Sequence, residues 1–221
     1  MFTKDLDFNN CPTVYLNTNL ETIINHFKTY SIQEIPVIDE NGEYVGLVHR
    51  DDFKDSSIHF KTLSDCPVSY TRIQVAPNQH IIEVLEVFLS NELEILPVVD
   101  FSNKYLGSID RNQVLKTVFT FLGLDKKGAI LTVKAKDNDV YLSQICNIIE
   151  RNGAQIIGIF SSQNNDLGVD ITLKINLYDI SSIIQSLERY GYTVETYNGH
   201  TEVLSSLIKQ RIDNLMNFIN M

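Results

Sequence analysis

Ile35-Pro36-Val37-Ile38-Asp39 and Leu96-Pro97-Val98-Val99-Asp100 are one stretch written twice, 97 − 36 = 61 residues apart. At that offset Tyr44-Val45-Gly46 aligns with Tyr105-Leu106-Gly107, and Arg50 with Arg111. Upstream, Val14 aligns with Val75, Asn17 with Asn78 and Phe27 with Phe88, and no gap is needed from Val14 to Phe53. Agreement at so many ordered positions marks a duplicated unit, and a repeat divides the chain before any other feature is read.

Each copy reads strand, helix, strand, strand, helix. In the first, Thr18 and Glu21 have the spacing of a capping box, followed by an apolar stripe at Leu20, Ile23, Ile24 and Phe27. The strand Ile35–Ile38 follows, then Asn41-Gly42, which offers the positive φ angles of a tight hairpin, and a return strand at Tyr44–Val48. The second copy has its stripe at Ile81, Leu85, Phe88 and Leu89, strands near Ile95–Val99 and Tyr105–Ile109, and a helix over Asn112–Leu122. Pro36 and Pro97 are expected at strand starts, where a missing N–H is tolerated.

A β-α-β-β-α unit with h-P-V-h-D followed by G-h-h (h apolar), present twice, resembles a pair of CBS domains over about residues 1–123. The boundaries drawn on this reading are 1–62 and 63–124. The resemblance implies a disc-like module with two symmetry-related clefts. In many members a cleft holds AMP, ADP, ATP or S-adenosylmethionine as a regulatory ligand. It also implies a signature after the glycine, G-h-h-[ST]-x-x-D, whose hydroxyl bonds phosphate and whose carboxylate accepts from the ribose hydroxyls, as an ionised carboxylate can. Here the first copy runs Gly46-Leu47-Val48-His49-Arg50-Asp51-Asp52, with Asp52 at the ribose position and His49 replacing the hydroxyl. The second runs Gly107-Ser108-Ile109-Asp110-Arg111-Asn112-Gln113, with Asp110 and Gln113 at those two positions. An anionic Asp110 repels phosphate, so the first cleft is the expected nucleotide site. Its expected residues are Asp52, His49 and Arg50, with Ile35, Pro36, Val37, Val14 and Tyr15 around them and Arg111 and Pro97 from the second copy. Two alternatives stay open: Asp52 can serve only as a helix-start acid favoured by the macrodipole, and the arginines can lie in surface ion pairs.

After Lys126-Lys127-Gly128 a third unit begins. It has a strand at Ala129–Ala135, a helix over Val140–Asn152 capped by Asp137 or Asp139 with Leu142, Ile145 and Ile149 on one face, and an Asn152-Gly153 stop. Strands Gln155–Ser161 and Gly168–Ile175 flank a polar loop at residues 162–166. Asp179 then caps a helix with stripe Ile180, Ile183, Ile184 and Leu187, and Tyr192–Tyr197 closes the unit. This βαββαβ order is ferredoxin-like, and over residues 128–199 it resembles an ACT domain, which implies dimerisation or amino-acid sensing. The segment Asp137-Asn138-Asp139-Val140 departs from that family's D-x-P-G-like ligand turn, because the proline and glycine are absent. Residues 200–221 carry an apolar stripe at Leu204, Leu207, Ile208, Leu215 and Ile219, the pattern of a C-terminal helix that docks on this chain, its twin or another protein. The fold class is therefore α+β. The domain order is similar to that of acetoin-utilisation accessory proteins.

The remaining sequence features restrict function. The 221 residues carry a net charge of −10, which disfavours a polyanionic partner such as DNA. No apolar stretch reaches the ~18 residues of a membrane span, and Met1–Asp5 lacks the flank and core of a secretory signal. Three scattered cysteines, Cys11, Cys66 and Cys146, fit buried thiols in a reducing cytoplasm. There is no P-loop, nucleophile elbow, dinucleotide fingerprint or metal-ligand spacing, so neither an enzyme nor a metal site is expected, and the one small-molecule partner expected is a regulatory nucleotide rather than a cofactor. The expected assembly is a homodimer. The second reading is an interaction module with empty clefts, acting through dimerisation and docking on a partner protein.

Overall fold

The repeated Pro-Val stretches form the inner strands of two hairpins related by the 61-residue offset. The computed structural model describes residues 1–8, 11–53, 60–136, 141–163 and 168–196. It divides into two units, Met1–Phe121 and Leu122–Met221.

In the first copy, β1 (Val14–Tyr15) runs parallel to β2 (Glu34–Ile38), which pairs antiparallel with β3 (Tyr44–His49). In the second, β4 (Ile95–Val99) pairs antiparallel with β5 (Tyr105–Asp110), and Val75 makes the parallel bridge to Val98 that Val14 makes to Val37. Each hairpin turns on an aspartate. Asp39 Oδ1 accepts the N–H groups of Asn41 and Glu43, and Asp100 Oδ1 those of Ser102 and Lys104. These bonds stabilise the ionised form, so both carboxyls lie below the usual range. The left-handed residue is Gly42 in one turn and Asn103 in the other, again 61 apart, while Asn41 keeps negative φ.

The prolines are not at strand starts: Pro36 and Pro97 are each the third residue of a five-residue strand. Val75 N–H donates to Pro97 O and Val99 N–H to Val75 O, so the proline lies where this short parallel pairing begins and little ladder is lost.

Helix α1 (Leu20–Tyr30) begins one residue later than the capping-box reading: Asn19 Oδ1 accepts the Glu21 N–H at 2.8 Å, and Thr18 Oγ1 instead accepts from Tyr15 N–H. It buries Leu20, Ile23 and Phe27 against Val14, Ile35, Val37 and Val48. Helix α2 (Ile81–Ser90) buries Ile81, Val84 and Phe88, whereas Leu89 is exposed. Helix α3 (Arg111–Phe121) follows β5 directly, and in the first copy β3 leads directly into a 3-10 turn, Arg50–Phe53.

The second unit runs β6 (Ile130–Lys136), α4 (Leu142–Arg151), β7 (Ile156–Gln163), β8 (Gly168–Ile175), α5 (Ser181–Arg189) and β9 (Thr193–Thr196). Its sheet is antiparallel throughout, ordered β7-β8-β6-β9. Leu131, Val133, Ile171 and Leu173 meet Ile145, Ile148 and Ile149 of α4 and Ile183 and Leu187 of α5 in one core. Leu142 is exposed, and the buried face of α4 is Ile145, Ile148 and Ile149. Gly153 has the left-handed φ of 82° that stops α4. Asp179 accepts from both the N–H and the hydroxyl of Ser181 at the start of α5. The expected Asp137 or Asp139 cap, the Asp137–Val140 loop and the tail helix over 200–221 lie outside the described residues.

Candidate functional site

Each hairpin's second strand is crossed by a segment from the other repeat. Leu47 and Thr71 exchange both backbone hydrogen bonds, at 2.9 and 3.0 Å, so the stretch leading into the second copy crosses β3. The N-terminal stretch crosses β5, where Ser108 N–H donates to Phe8 O at 3.0 Å. This crossing explains the signature glycines. A Cβ on Gly107, at φ 145°, would lie 2.5 Å from both Phe8 Cβ and Phe8 O, and one on Gly46 would lie 2.9 Å from Tyr70 Cβ.

Three residues past each glycine the chain turns into a helical segment, and each copy makes half of a capping box there. Asp52 Oδ2 reaches back to accept the His49 N–H at 2.9 Å. Asp110 Oδ1 accepts the Gln113 N–H at 2.8 Å. His49 also faces Glu34, with Nδ1 4.0 Å from Oε1. Glu34 is 3% exposed, and its other oxygen accepts the backbone N–H of Glu94 at 3.2 Å, so one buried carboxylate ties the first signature to the edge of the second repeat. Burial raises its carboxyl above the usual range, only partly opposed by the Glu94 N–H and by His49.

A cavity of about 390 Å³ opens beside the second signature. Asp110, Arg111 and Asn112 line it on one side, with Cys11 and Pro12 from the crossing N-terminal stretch, Tyr30 and Ile32 from the end of α1 and the turn after it, and Glu94 just ahead of β4. Arg111 N–H donates to Glu94 O at 3.0 Å, which fixes these two residues side by side. Burial, then the nearby Asp110 carboxylate, pushes the Cys11 thiol up to about 11.

The residues expected to hold a ligand are thus distributed unevenly. Asp52 and His49 come together, and Arg50 beside them is exposed. Val14, Ile35 and Val37 are at most 1% exposed and belong to the hydrophobic core, so they do not present a surface to a ligand. Their packing against Leu20, Ile23 and Phe27 of α1 is the reason. Pro36 and Pro97 are buried as well, and Tyr15 is 48% exposed. Arg111 lines the cavity of the second copy. Glu34, Glu94, Cys11 and Tyr30 were not picked out by motif. The readable signal was positional, since Glu34 directly precedes the repeated apolar stretch and Glu94 lies 61 residues after Gln33.

With this geometry in hand, the comparison with known proteins is specific. The CBS domain family profile matches residues 4–58 and again 68–119. The first unit is a tandem pair of CBS domains. Inosine-5'-monophosphate dehydrogenase of Methanocaldococcus jannaschii is 31% identical over 126 residues, covering 56% of this chain and 25% of the enzyme. The chain thus spans about a quarter of that relative's length. Among solved structures, a CBS domain pair/ACT domain protein of Thermotoga maritima matches with a TM-score of 0.50 and 23% identity, covering 55% of this chain and 99% of that one. The CBS domains of a transcriptional regulator from Streptococcus pneumoniae match with a TM-score of 0.47 and 19% identity, over 52% of this chain and 98% of that one.

Proposed function

We propose that this chain is a regulatory, ligand-sensing protein whose CBS pair binds an adenine nucleotide or S-adenosylmethionine, and that it performs no catalysis of its own. The observation that carries the reading is the duplicated signature with a cavity of about 390 Å³ at one copy, within the size range of small-molecule sites. In the first cleft Asp52 would receive the ribose hydroxyls, with His49 and Arg50 toward phosphate. The second unit, with its β-α-β-β-α-β order, is read as an ACT-like module for dimerisation or amino-acid sensing in a cytoplasmic homodimer. A second reading has its own observation: Asp52 already accepts the His49 backbone N–H, as it would in a cleft kept empty for docking on a partner protein.

A thermal-shift panel of adenine nucleotides, S-adenosylmethionine and amino acids separates the two. At 100 times Kd a ligand adds about 2.7 kcal/mol, roughly 5–10 °C for a chain of this size. A flat panel favours the docking reading.

A further inference from the structure

The cavity at the second signature is lined by charges of both signs. Two carboxylates, Asp110 and Glu94, line it against one guanidinium, Arg111. Asp110 is held by its bond to Gln113 N–H through Oδ1, and that cap does not use Oδ2. Arg111 and Glu94 are locked together through the backbone. Pro12, Ile32 and Ile95 supply apolar wall, and Tyr30, 54% exposed, offers a ring face on which a base can stack.

Resting on the reading of the CBS pair as an adenine-ligand sensor, we infer that this cavity selects an adenosine derivative with a cationic or zwitterionic 5′ substituent over a phosphorylated one. A phosphomonoester would bring up to two negative charges to a site that already holds two carboxylates and one cation. An α-amino-acid group matches the same three side chains: its carboxylate to Arg111, its ammonium to Asp110 and Glu94. A sulfonium on the connecting chain adds a further positive charge. The Cys11 thiol on the neighbouring wall is pushed up chiefly by burial and further by the Asp110 carboxylate beside it. Asp110 is the specificity-determining residue, because it stands where a neutral hydroxyl would admit phosphate.

Calorimetry on the full chain tests this with S-adenosylmethionine, AMP and ATP as probes, in wild type, Asp110→Ser and Tyr30→Ala. Serine is also a good N-cap, so Asp110→Ser keeps the start of α3. The expected result is S-adenosylmethionine binding that weakens about tenfold or more in Asp110→Ser, since a charge-assisted bond is lost. It weakens again in Tyr30→Ala, and AMP binding strengthens in Asp110→Ser. S-adenosylmethionine affinity indifferent to Asp110, or wild-type AMP binding as tight as S-adenosylmethionine and equally weakened by Tyr30→Ala, overturns the inference while leaving the sensor reading in place. Binding of AMP or ATP alone, insensitive to both substitutions, does the same. Absence of binding by all three probes brings down the sensor reading and this inference with it.

Discussion

A hydroxyl residue followed three positions later by an acid is both a nucleotide signature and a capping box, and this chain shows the two meanings competing. Neither copy keeps both halves. The first retains the acid that reaches back, Asp52 to His49 N–H, and the second retains a cap that reaches forward, Asp110 to Gln113 N–H. Asp52→Ala should weaken adenine-nucleotide binding at the first cleft by the ~1.5–3 kcal/mol of a charge-assisted bond, roughly 10–150-fold, while Gln113→Ala changes it little. If calorimetry shows unchanged affinity and only a lowered melting temperature in Asp52→Ala, the residue is a cap and nothing more. Glu34 permits a second test. Its folded-state carboxyl is raised by burial, so the ionised form costs stability, and that cost grows as pH rises from the ordinary carboxylate range through the raised value. Glu34→Gln keeps an acceptor for Glu94 N–H and should melt higher than wild type at pH 7–8. The difference should fade below about pH 4, where the ordinary glutamate is itself protonated. At this scale sequence identified the signature positions but not which way each side chain turned, because one spacing serves both uses.

Elements were read more easily than their edges. The alternation Leu131, Val133 and the stripe Ile180, Ile183, Leu187 do lie in the core, because burying one face is what makes a strand or helix of this length worth forming. The misplacements are local: Asn19 caps α1 where Thr18 has the same chemistry one residue earlier, and Leu142 and Leu89 fall just off the buried stripe. Both prolines moved inside their strands because a two-residue parallel neighbour leaves little ladder to interrupt. The glycine of each signature has a steric cause invisible in one copy's sequence, since the segment over Gly107 arrives from the far N-terminus. Gly107→Ala should cost about 2 kcal/mol or more, because the new methyl meets Phe8 backbone. Gly42→Ala, with positive φ but open space, should cost about 1 kcal/mol. Urea denaturation of the two variants measures the difference, and equal losses would refute the crossing as the reason for Gly107.

For the whole molecule, the duplication was legible from residue offsets alone, and the assembly was not. Strand β7 is the outer strand of its sheet, with its residues half-buried or exposed from Ile156 to Gln163. Such an edge is a template for pairing, and a twin of the same chain can cover it. Light scattering at micromolar concentration should therefore give about twice the 25.2 kDa chain mass, and a monomer mass would contradict the homodimer. The crossing of the N-terminal stretch over β5 also sets an order in time. Phe8 receives its hydrogen bond from Ser108, 108 − 8 = 100 residues later. At a synthesis rate of about 5–20 residues per second, the first turn of the chain waits roughly 5–20 seconds for the strand it must lie across. β3 receives its own partner sooner, since Thr71 follows Leu47 by 71 − 47 = 24 residues, so the first crossing can form well before the second. The cavity beside the second signature comes into being last, when β5 meets the beginning of the first repeat.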